Sequence, residues 1–126
     1  MLSQILLYLG SALPLVWGTS HLFATRSVVK GFGDISLDNR RIITMEWIVE
    51  GVTLIFIGVL TASVTYAGRT SVVSTVVYWL SFGVLNMLSV VSLFTGFHIR
   101  FLPFKLCPFL FTSSSFLMIL GRYLQL

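Results

Sequence analysis

Apolar residues run through this chain in four long blocks separated by three shorter polar stretches. The blocks cover residues 5–25, 42–66, 72–97 and 106–122, each near the roughly 20 residues with which an α-helix crosses a hydrocarbon core of about 30 Å. The first block has no Lys or Arg before Gln4 and continues past Trp17 to Ala24, too long and wrongly flanked for a cleaved leader, so it is expected as a retained helix. The pattern predicts an all-α polytopic integral membrane protein, a four-transmembrane-helix bundle running up-down-up-down, with residues 1–126 as one membrane domain.

The connections fit that count. Residues 26–41 form a polar loop with Gly31-Phe32-Gly33 as its flexible point and Asp38 or Asn39 as the expected N-cap of the second helix. Residues 67–71 read as a tight turn, and residues 98–105 contain Pro103, which suits a loop or a helix start better than a helix middle. No internal repeat or second domain is visible.

Composition agrees: 56% of residues are hydrophobic and only 10% charged, against about a quarter charged in soluble domains. The single cysteine, Cys107, can close no intrachain disulfide, and no Cys/His spacing suggests structural zinc. Arg26, Lys30, Arg40, Arg41, Arg100 and Lys105 fall in the first and third connections, with only Arg69 and Arg122 on the other side. Such a bias places the basic connections in the cytoplasm and both termini on the non-cytoplasmic side. These six side chains are expected to contact lipid headgroups, each contributing about 1 kcal/mol near anionic lipid. No soluble domain is present to hold a nucleic acid.

Polar chemistry concentrates at one place. Asp34, Asp38, Glu46 and Glu50 are the only acidic residues. Glu46 and Glu50 share a helix face by their four-residue spacing, and counting from Arg41 puts them about 7 and 13 Å into the second span. Twelve Leu, Ile, Phe and Val residues within 42–66 supply about 5 kcal/mol, enough for that span to insert despite two carboxylates. His21, five residues before Arg26, matches Glu46 in depth on the antiparallel first helix. Gly10, Pro14, Trp17, Gly18, His21 and Thr25 form one face there, and Thr44, Gly51, Gly58 and Thr65 form a small-residue seam on the second helix, so the two are expected to meet. Asn86 lies near mid-depth in the third span as interhelical glue or part of a polar site, and Ser113, Ser114 and Ser115 point around the fourth helix in different directions. Trp47, Tyr66, Tyr78, Trp79 and Tyr123 read as an interfacial aromatic belt.

His21, Glu46, Glu50 and Asn86 are therefore the candidate buried polar or ligand site. No cofactor is called for, although His21, Glu46 and Glu50 offer a divalent cation a partial ligand set. No phosphate loop, nucleophile elbow, His-Glu-x-x-His or dinucleotide fingerprint occurs. In size and span count the chain resembles the small multidrug resistance transporters, in architecture only: their glutamate lies in the first span, where this chain has none. Two functions of different class follow. One is a small non-enzymatic accessory or assembly subunit, or a lipid-binding component, partnered by membrane lipids and by other subunits or itself. The other is a membrane-embedded enzyme acting on a lipid-like substrate, or a proton-coupled carrier, using Glu46, Glu50 and His21.

Overall fold

Hydroxyls and prolines open the helices. Ser36 accepts the N–H of Asn39 at 3.2 Å and Ser71 that of Ser74 at 3.1 Å, each satisfying a donor that a helix start leaves free. Pro103 sits in the first turn of the last helix, where its missing N–H leaves no hydrogen bond unmade. The computed structural model, which describes residues 1–124, consists of α1 (Leu2–Gly31), α2 (Leu37–Gly68), α3 (Val72–Thr95) and α4 (Leu102–Tyr123). All four are long and apolar enough to cross a membrane, and no strand occurs among the described residues. The result is the expected four-helix bundle. α1 packs along both α2 and α4, and α3 along α4, whereas α2 and α3 meet sparsely.

Boundaries differ from the sequence reading chiefly in the first connection, and α4 begins at Leu102 rather than Leu106. Helix α1 continues to Gly31 and α2 begins at Leu37, so the polar stretch 26–41 is mostly helical and its turn is short. The cap of α2 is Ser36 rather than Asp38 or Asn39, because its hydroxyl reaches the backbone three residues on. Within the turn Gly33 has φ +70°, a conformation that glycine adopts without a Cβ penalty. Pro108 lies inside α4, and its carbonyl accepts from Ser89 of α3 at 2.9 Å.

The interior combines a small apolar core of Leu54, Leu85, Phe111 and Met118 with many glycines and hydroxylated residues, while most of the other large apolar side chains face outward, as in a bundle with lipid as solvent. A Cβ added to Gly18 would sit 2.5 Å from the Gly51 carbonyl oxygen, and one added to Gly58 would sit 2.7 Å from that of Ser11. Gly10 lies equally close to Met118, and Gly121 to Leu7. Ser3 donates to the Gly121 carbonyl at 2.8 Å and Ser114 to that of Gly10 at 2.6 Å, closing α1 on α4. Asn86 donates to Ser115 at 2.9 Å, so consecutive serines of α4 tie it to α1 on one side and α3 on the other. Tyr78, assigned above to the interfacial belt, is fully buried instead, its hydroxyl 2.8 Å from that of Thr65.

The helices finish level at the end that carries the termini: Ser3 bonds Gly121, Arg122 donates to Thr75, and Thr65 pairs with Tyr78. About 20 residues from that level bring the hydrocarbon span to its other edge near residues 23, 46, 95 and 101. Helices α3 and α4 stop there, whereas α1 and α2 run on by eight or nine residues, about 12 Å. A basic helical hairpin therefore overhangs one end of the bundle.

Candidate functional site

At this end the glycine seam turns aromatic. One turn before Gly51 stands Trp47, whose ring stacks on His21 with centroids 4.4 Å apart and whose Nε1–H donates to the His21 carbonyl at 2.8 Å. Trp17 packs edge-on against His21 from within α1, and its carbonyl lies 3.1 Å from His21 Nδ1. His21 is 5% exposed. Its remaining nitrogen, Nε2, is 3.6 Å from Glu50 Oε1, an ion pair in geometry if the imidazole is protonated. Phe104 of α4 closes the group by an edge contact to Trp47.

His21 and Glu50 are thus brought together, but Glu46 is not. At about 100° per residue, Trp47, Gly51, Leu54, Gly58, Thr61 and Thr65 point in one mean direction, from which Glu50 departs by about 60° and Glu46 by about 100°. Glu50 reaches His21 from the edge of the seam with its side chain still 35% exposed. Glu46 is exposed, with neither hydrogen bond nor ion pair among the described residues. Arg41 lies on the overhanging hairpin, so Glu46 stands at the level where α3 and α4 stop and Glu50 about 6 Å further toward the end that carries the termini. Asn86 belongs to the α3–α4 contact, bonded to Ser115, away from His21.

Three carboxylate, thiol or imidazole groups do not converge anywhere among the described residues, and Glu46 lies turned aside from His21 and Glu50. The packing role that sequence reasoning missed is that of Trp47, read only as part of an interfacial belt. Its position four residues before Gly51, on the same three-and-four stripe, was the available signal.

Beside the cluster lies a small cavity of about 140 Å³, walled by Trp17, His21, Trp47, Phe104 and Cys107 among others. The Trp17 indole N–H is buried without a conventional partner and faces the Cys107 sulfur, a weak acceptor. A larger open cleft of about 650 Å³ lies on the hairpin, where Arg26, Lys30 and Arg40 line it together with Asp34. The other three of the six basic residues in the first and third connections lie apart from it: Arg41 is 3.9 Å from Asp38, and Arg100 and Lys105 belong to the α3–α4 connection and the start of α4. Comparison with protein-family models, curated proteins and solved structures gives no match.

Proposed function

We propose that this small four-helix membrane protein is a non-enzymatic accessory or assembly subunit, with its basic end in the cytoplasm and its termini on the opposite side. The size of the cavity beside His21 carries the reading. At about 140 Å³ it falls well below the roughly 300–1,000 Å³ of small-molecule sites, so the cavity gives a lipid-like substrate no enclosed room beside His21. The backbone atoms of that region are likewise turned to helix contacts, with Trp47 on the His21 carbonyl and His21 on that of Trp17. The glycines of the helix faces do not supply the partner surface: Gly10, Gly51, Gly58 and Gly96 are all packed inside. What extends beyond the bundle is the α1–α2 hairpin, with Phe23, Ile42 and Met45 exposed beside its basic residues. The hairpin is the element offered to lipid headgroups and to another subunit.

A second reading has one observation in its favour: Glu50 is partly exposed and within 3.6 Å of His21, a pair able to exchange a proton with the membrane edge. Reconstitution separates the two. Purified protein in vesicles enclosing a pH-sensitive dye should carry no Glu50-dependent proton flux, and Glu50→Gln should leave the melting temperature within about 2 °C of the parent. Proton movement that Glu50→Gln abolishes in a folded protein would replace the accessory reading with the carrier.

A further inference from the structure

From the overhanging hairpin we infer a discrete binding site for one phosphate-bearing anionic lipid in the cleft between the end of α1 and the start of α2. Arg26, Lys30 and Arg40 line the cleft from both helices, with Asp34 as its single carboxylate. None of these four has an ion-pair partner among the described residues, whereas Arg41, outside the cleft, is 3.9 Å from Asp38. Three cations against one acid leave a net positive cavity with its counter-charge unprovided.

The vertical order of the lining residues identifies the ligand class. Phe23 and Leu22 form the part of the cleft nearest the bundle, at the edge of the hydrocarbon span, and Phe23 is 86% exposed. Arg26 follows about 4–5 Å further out, Arg40 about 9 Å and Lys30 about 10 Å. A headgroup layer is about 5–8 Å thick on each side. Apolar walls at the acyl level, an arginine among the headgroups and two further long cationic side chains at their outer rim, able to reach inward, match an acyl chain followed by its phosphate. A free anion would use only the upper half of this arrangement. Guanidinium groups are able to offer paired donors to phosphate oxygens, which favours a phosphate over other anions. This site rests on the spanning arrangement of the helices and is independent of the accessory role.

Native mass spectrometry of the full-length protein in a neutral detergent tests it, with phosphatidic acid, phosphatidylcholine and inorganic phosphate as probes. The expected result is one phosphatidic acid retained per chain, phosphatidylcholine bound at least tenfold more weakly, and no displacement by millimolar phosphate. Each cation removed should weaken binding about fivefold, the factor corresponding to about 1 kcal/mol, so R26Q/K30Q/R40Q should lose about a hundredfold. The matched control R41Q/R100Q/K105Q, with equal charge removed outside the cleft, should bind as the parent does. If the cleft triple variant fails to fold by circular dichroism, Arg40→Gln alone must still give the fivefold loss. Equal losses in the two triple variants would reduce the site to a diffuse basic belt, and displacement by phosphate would make the ligand a free anion; either overturns the inference.

Discussion

At the scale of single residues, the close approach of backbones at glycine sets the tolerances. A methyl at Gly18 or Gly58 has to share space with a carbonyl oxygen of the facing helix, and such overpacking costs about 1–3 kcal/mol. Gly18→Ala and Gly58→Ala should therefore unfold earlier in a detergent denaturation series, while Gly83→Ala, with nothing within 4 Å of its Cβ position, should be neutral or gain the helix propensity of alanine, up to about 1 kcal/mol. Three indistinguishable midpoints would contradict the packing described. Trp47 allows a finer separation. Trp47→Phe keeps a ring over His21 and removes only the N–H bond to its carbonyl, a loss of about 1 kcal/mol; Trp47→Ala also forfeits the stack and its buried area, and should be clearly the worse of the two.

At the scale of elements, the lengths of the helices matter more than their number. Helix α2 has 32 residues and α3 has 24, yet they finish level at the end carrying the termini, so the difference accumulates at the basic end. Amide exchange read residue by residue should show this. Protection is expected through the shared span and should fall in residues 24–31 and 37–45, where the helical bonds face water or headgroups rather than acyl chains. Uniform protection from 5 to 31 would place the hydrocarbon edge beyond the hairpin and return Glu46 to the membrane interior. The α1–α4 contact offers a second measurement. Ser114→Ala removes the bond to the Gly10 carbonyl and should cost about 0.6 kcal/mol, and no more than about 1.7, as interhelical bonds in membranes do.

At the scale of the whole molecule, the disposition of charge across the bundle predicts its orientation. With Cys107 replaced by serine, single cysteines at Lys30 and Thr70 should label from opposite faces of the membrane, Lys30 from the cytoplasm; labelling of both from one face is incompatible with the bundle. The helix count, the all-α class and the membrane setting were legible in the sequence, because hydropathy over about 20 residues is a property of each segment alone. The α1–α2 pairing was legible too, since Gly18 on α1 and Gly51 and Gly58 on α2 lie on small-residue faces and only small residues admit a second backbone. What the tertiary structure alone decided were the azimuth and level of each helix. Glu46 was grouped with His21 because a four-residue step leaves two side chains about 40° apart on a helix; the close contact of Gly18 with Gly51 then set α2 so that Trp47 faces His21, Glu50 grazes it and Glu46 turns away. Depth followed the same rule. A count from Arg41 measures position along one helix, whereas the hydrocarbon edge is fixed by where four helices stand level, and that depends on pairwise contacts such as Ser3 with Gly121 and Thr65 with Tyr78, which no single segment encodes.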